Sequence, residues 1–249
     1  MQTSEGKVVV LGVTGASGAL LAQVALRKLE ADPRVARVHL VVTETGGRLL
    51  AHELGVSGDA KQIPALLLGW PARKTGVLPN KDVGASIASG SYPVDAMLVI
   101  PCSMGALAAI ASGLSNDLLS RAADVCLKEG RKLVLCLRDT PFSRIHLENM
   151  LRAQQAGAVI MPVIPAFYHQ PQTIADLADE FINRALQQIG LRQPGAFRWE
   201  GQRPGAGDAA ATPEPATVHN ERSPRAAGKR IRLIEGKTVR KLRDPKRGA

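Results

Sequence analysis

Residues 8–26 read VVVLGVTGASGALLAQVAL: a β-branched run, glycines at 12, 15 and 18, then an apolar helical pattern. A strand that is apolar throughout has no wet face, so its sheet must be covered on both sides. The turn straight into a helix supplies one of those covers. A second uncharged window, residues 96–116 (AMLVIPCSMGALAAIASGLSN), repeats the strand–turn–helix order. Each window approaches the length of a membrane span, but Gly, Ser or Pro breaks each in its middle, which favours buried βα units. The opening MQTSEGK carries no basic-then-apolar leader pattern, so a cytoplasmic protein is expected.

The same alternation continues along the chain. Strands are expected at 7–14, 37–43, 96–101, 132–138 and 157–162, and helices at 17–30, near 45–55, through MGALAAIASG, at 116–130 and at 173–190. A further helix between 138 and 157 is expected to start with Thr140 as N-cap and Pro141 at its first position. Residues 56–82, rich in Gly and Pro, carry no clear period. Apolar strands alternating with helices mean an α/β fold with a mostly parallel sheet, whose ligands bind beyond the carboxyl ends of the strands. The residues there are Gly15-Ala16-Ser17, Thr43-Glu44, Ser103-Met104-Gly105, Arg138-Asp139 and Pro165 to Tyr168.

Composition adds limits. Three cysteines (Cys102, Cys126, Cys136) with no CxxC spacing fit a reducing compartment and argue against a disulfide framework or a zinc site. The net charge of +10 is lopsided. Residues 201–249 hold twelve Lys/Arg against five Asp/Glu, so +7 belongs to this Gly/Ala/Pro-rich stretch. It has too few large apolar residues to fold alone and is expected to be a flexible basic tail behind a domain spanning 1–200. A nucleic-acid role would rest on that tail alone.

Several side chains invite a ligand, each beside a blander reading. The glycine turn can bring backbone amides to an anion at a helix N-terminus, or can serve packing only. Glu44 past the second strand would suit a nicotinamide ribose, but no Tyr-xxx-Lys pair or hydride-transfer histidine accompanies it. Arg121, Asp124 and Lys128 share one helix face, whose bland reading is an Asp124–Lys128 pair. Arg184 follows Leu177 and Phe181 at helical spacing, so a half-buried guanidinium seeking an anion is expected; Arg138 raises the same question at a strand end. Cations converging on strand ends would suit a phosphate ester. His146 and His169 read as structural, lacking metal-ligand or triad spacing.

The segments GVTGASGA, ASIASGSYPVDAMLVIPCSMGALAAIASG, LLSRAADVCLKEGRKLVLCLRDTPFSRIHLENM and GAVIMPVIPAFYHQPQTIADL together resemble the UbiX family of flavin prenyltransferases, from residue 7 to about 200. The resemblance implies a flavodoxin-like, Rossmann-type three-layer sandwich, assembled as a dodecamer with sites between subunits. It implies a metal-independent reaction in which reduced FMN takes the dimethylallyl group of dimethylallyl phosphate, giving a prenylated flavin used by UbiD-type decarboxylases. Gly15, Ala16, Ser17, Thr43, Ser103, Met104, Gly105, Ala106 and Arg138 would hold FMN. Ser89, Arg121, Lys128, Tyr168, Arg184 and Trp199 would hold the prenyl phosphate, with Glu53, Asp139 and Lys128 as the catalytic set. Thr43 stands where the family usually has Ser, and Asp139 where it has Glu, one methylene longer. Two other readings are a peptidyl-cysteine decarboxylase of the same superfamily, for which His52 is the only early histidine outside a strand, and a non-catalytic FMN carrier.

Overall fold

The protein is described by a computed structural model that defines residues 6–199, so the basic tail lies outside the described residues. Six strands form one sheet: β1 (Lys7–Val13), β2 (Val35–Val42), β3 (Thr75–Val77), β4 (Ala96–Cys102), β5 (Lys132–Leu137) and β6 (Val159–Ile160). Their order is β3-β2-β1-β4-β5-β6, and every neighbouring pair is parallel. Chain order reverses between β1 and β4, so the crevice beyond their carboxyl ends is the switch point where such sheets bind ligands.

Seven helices cover the sheet: α1 (Ala19–Ala31), α2 (Glu44–Leu54), α3 (Ile63–Leu68), α4 (Met104–Ala111), α5 (Leu118–Lys128), α6 (Arg144–Gln155) and α7 (Ile174–Gln188). Side chains alternate across each strand, so each face has its own core. Val9, Leu11, Leu98 and Ile100 pack under α1, α2, α3 and α7. Val10, Met97, Val99 and Leu135 pack under α4, α5 and α6. The fold is therefore the three-layer α/β sandwich that the apolar strands required. β3 is the one strand the sequence reading lacked. It is a three-residue edge strand inside 56–82, too short to show a period, and Glu30 supports it by accepting from Thr75 Oγ1 at 2.5 Å and from the amides of Arg73 and Lys74.

Most helices start on a side-chain cap: Thr43, Ser103, Asp117, Ser143 and Thr173 each accept an amide three residues on. Thr140 is not a cap. α6 starts later because Ser143 and His146 satisfy each other's amides in a reciprocal box, leaving Thr140 and Pro141 in the approach. α1 differs, since its N-cap is Gly18 (φ +123), which has no side chain to offer.

Candidate active site

The switch-point crevice is built by two turns, one after β1 and one after β4. Thr14, 1% exposed, ties them together: its Oγ1 donates to Pro101 O at 2.8 Å and accepts from Ser103 N at 2.7 Å. Ala16 is buried and Ser17 exposed in the first turn; Ser103, Met104, Gly105 and Ala106 open α4 in the second. Ser103 Oγ caps Ala106 N, and among the described residues the first-turn amides of Met104 and Gly105 have no acceptor. A Cβ at Gly105 would meet open space, so backbone donors stand accessible there. Arg138, at the end of β5, reaches back and donates from Nε to Ser17 O at 3.2 Å. Thr43, at the end of β2, is engaged by Gly46 N and lies 3.3 Å from Thr45 Oγ1. Small residues, free amides, a guanidinium and a buried thioether at Met104 make a cradle that fits a flavin ring.

The glycine turn works differently from the expected anion loop. A Cβ at Gly12 would press on Leu119 and one at Gly15 would collide with Thr45, so both are required by packing. The amides of Gly18 and Ala19 already hold an anion: the Glu53 carboxylate, reaching from α2, accepts from them at 3.0 and 2.8 Å. Burial alone would raise the Glu53 pKa, but those amides, the Ser17 hydroxyl and the Arg138 charge outweigh it and hold the carboxyl below its usual range. Glu53 thus sits ionised beside Arg138. Asp139 is exposed, with one oxygen accepting from Thr140 N. Cys102, next to Ser103, is buried and its thiol is pushed up to about 12, which leaves it inert as a nucleophile.

The expected phosphate-binding residues do not gather in this crevice within one chain. Ser89 precedes β4 and Lys128 ends α5 just before β5, so both lie at the amino-terminal edge of the sheet. A strand as long as β4 puts that edge about 20 Å from the crevice. There Arg121 donates to Ala88 O at 3.1 Å and pairs with Asp124 at 2.8 Å, while Lys128 pairs with Glu129. The expected Asp124–Lys128 pair is therefore not made, because each partner has a nearer counter-ion. Tyr168, Arg184 and Trp199 form a third group on the α7 face, the opposite face from α5. Tyr168 lies edge-on to Trp199 with centroids 6.4 Å apart. Arg184 is exposed, not half-buried, and its nearest partner is Gln187 Oε1 at 3.4 Å. The buried stripe of α7 is Ala178, Phe181, Ile182, Ala185, Leu186, and Arg184 falls just outside it.

The other candidates resolve plainly. Glu44 pairs with Arg48 on the surface at 2.5 Å, and His52 is exposed on α2. Both ring nitrogens of His169 are buried without a partner among the described residues, beside the 93%-buried Glu180. No group of three or more His, Cys, Asp or Glu among the described residues could hold a metal ion, and no helix there is long and apolar enough to cross a membrane. The sequence reading missed Thr14 and Arg131. Thr14 was visible as the one polar residue closing an apolar strand. Arg131 donates to Gly90 O at 2.5 Å, and nothing local announces that bond.

Comparison with known proteins gives a consistent picture. The Flavoprotein family model matches residues 1–184. A probable UbiX-like flavin prenyltransferase of Bacillus subtilis (strain 168) is 42% identical over 197 residues, covering 79% of this chain and 91% of the relative. The flavin prenyltransferase UbiX of Pseudomonas aeruginosa is 44% identical, covering 77% and 93%. Among solved structures, AnUbiX in complex with FMN and dimethylallyl pyrophosphate superposes with a TM-score of 0.72 at 39% identity, covering 80% of this chain and all of that one. A dodecameric FMN-dependent UbiX-like decarboxylase from Escherichia coli O157:H7 gives 0.70 at 41% identity, covering 78% and 100%.

Proposed function

The chain belongs to the flavoprotein family, among the UbiX-type flavin prenyltransferases, and from that premise we propose how its residues divide the reaction. The protein is an enzyme that joins a dimethylallyl group to reduced FMN. The donor is dimethylallyl phosphate, and the prenylated flavin passes to a UbiD-type decarboxylase in the cytoplasm. Residues 1–200 form the catalytic domain and 201–249 a separate basic tail.

Reduced FMN, when bound, supplies the electron-rich atoms that accept the dimethylallyl group. The chain's part begins with the two turns of the crevice, where Gly15, Ala16, Ser17 and the α4 amides cradle the ring, with Thr43 and Arg138 at the rim. Breaking an allylic carbon–oxygen bond heterolytically requires negative charge on the departing phosphate to be stabilised. Ser89, Arg121, Lys128, Tyr168 and Arg184 supply the hydroxyls and cations for that. The carrying observation is their distribution: flavin turns at one edge of the sheet, Ser89 and Lys128 at the other, Tyr168 and Arg184 on the α7 face. Such groups meet only where subunits meet, so this chain works as a homo-oligomer of the dodecameric kind, each site taking groups from more than one subunit. Trp199 closes over the donor beside Tyr168.

Ring closure on the flavin needs a proton acceptor. Glu53 is held ionised by α1 amides and Arg138, which weakens it as a base. Asp139 is exposed and makes one bond of its own, so it takes the proton while Glu53 sets charge at the crevice. Anaerobic incubation with reduced FMN and dimethylallyl phosphate should release phosphate and yield a flavin heavier by one prenyl unit on mass spectrometry. An unmodified FMN mass would leave only flavin carriage.

A further inference from the structure

We propose that Arg131 is a positioning residue that seats the Ser89–Gly90 turn against the Lys128 ammonium; the inference rests on the prenyl-transfer reading above. Two guanidiniums grip this turn from either side of Ser89. Arg121 Nε donates to Ala88 O at 3.1 Å, and Arg131 Nη2 donates to Gly90 O at 2.5 Å. Between them Ser89 Oγ lies 2.8 Å from Ser91 Oγ. A Cβ at Gly90 would come within 2.7 Å of Lys128 Nζ and collide with Glu129, so the turn is packed directly on the lysine.

Arg131 reaches that turn because Gly130 (φ +64) reverses the chain after α5, with Arg131 N donating to Cys126 O at 2.8 Å. Its Nη1 is buried and has no partner among the described residues. A buried orphan donor is unfavourable, and a methionine would avoid it, so stability alone does not select this arginine. What the guanidinium provides is a rigid, planar reach to one carbonyl with its charge held in place. With the carbonyls of residues 88 and 90 engaged by cations, their lone pairs no longer repel an approaching phosphate. Ser89 and Lys128 then receive it, Lys128 exchanging its Glu129 partner for the phosphate.

Steady-state kinetics of the intact protein with reduced FMN and dimethylallyl phosphate test this. Arg131→Met should raise the KM for dimethylallyl phosphate about tenfold while FMN affinity, governed at the other sheet edge, stays unchanged. Arg131→Lys should recover part of the loss. Gly90→Ala, which displaces the Lys128 and Glu129 side-chain ends from the turn and leaves Arg131 intact, should raise the same KM and guards against a fold defect in the first variant. An unchanged KM in folded Arg131→Met or Gly90→Ala overturns the proposal, as does a parallel loss of FMN and donor affinity. Failure of the unaltered protein to prenylate FMN would instead defeat the parent reading.

Discussion

Thr14 carries more of the crevice than its size suggests. Its hydroxyl uses both a donor and an acceptor role, and the two turns it joins are 87 residues apart in the chain. Thr14→Val keeps the shape and leaves Pro101 O the Thr14 amide at 3.2 Å, but it strands Ser103 N. We expect a stability loss of about 1–3 kcal/mol and weaker FMN binding, with Thr14→Ser recovering both, read by thermal unfolding and FMN titration. If the valine variant holds FMN as tightly as the unaltered protein, the hydroxyl does not set the spacing of the turns. Thr14 was visible within GVTGASG, but its partners were not. Arg184 errs the other way: its spacing from Leu177 and Phe181 was right, yet its exposure depends on which stripe of α7 the sheet covers.

Among the elements, α1 is held by groups that belong elsewhere. Its start borrows Glu53 from α2, and its end is fixed by Asp32, whose backbone N–H donates to Lys28 O and whose carboxylate takes a two-point bond from Arg34 at 2.9 and 2.6 Å. The Asp32 side chain is 4% exposed, and the Arg34 guanidinium, outweighing burial, holds its pKa down to about 2. A depressed carboxylate stabilises the fold above its unfolded value and loses that contribution as pH falls through the folded one. Asp32 should therefore contribute about 2 kcal/mol near neutral pH, lost between roughly pH 4 and 2. Thermal unfolding followed from pH 5 to 2 should show a shallower acid limb in Asp32→Asn; matching slopes would remove Asp32 from the acid response. The start of α7 at Thr173 was legible because a cap and its helix are neighbours in sequence; Glu53 on α1 was not, because 35 residues separate the carboxylate from Gly18.

Taken as a whole molecule, the protein keeps the turns after β1 and β4 and its Ser89–Lys128 group at opposite edges of one sheet. That arrangement makes complementation the decisive test of a shared site. Lys128→Ala and Arg138→Ala should each be inactive alone, the first still binding FMN. Co-assembled in equal amounts, they should regain activity in about a quarter of the sites, the share expected when each site draws the two residues from different subunits. Mixed oligomers as inactive as their parents would place both residues in one subunit's site and break the topological argument.

Apolar strands alternating with amphipathic helices are local information, and from them the layers, the parallel sheet and the strand-end positions of Ser17, Thr43, Ser103 and Arg138 followed directly. The proposed membership of the site rests on the motif resemblance, since spacing alone left Arg121, Lys128 and Arg184 open to solvated readings. Only the tertiary structure decided where these groups stand. It gave the α1 amides to Glu53, parted α5 from α7 by the sheet, and brought Arg131 to Gly90. Each of those outcomes depends on contacts between segments tens of residues apart, where packing and the rule that buried polar groups find partners choose among arrangements that the linear order leaves equal.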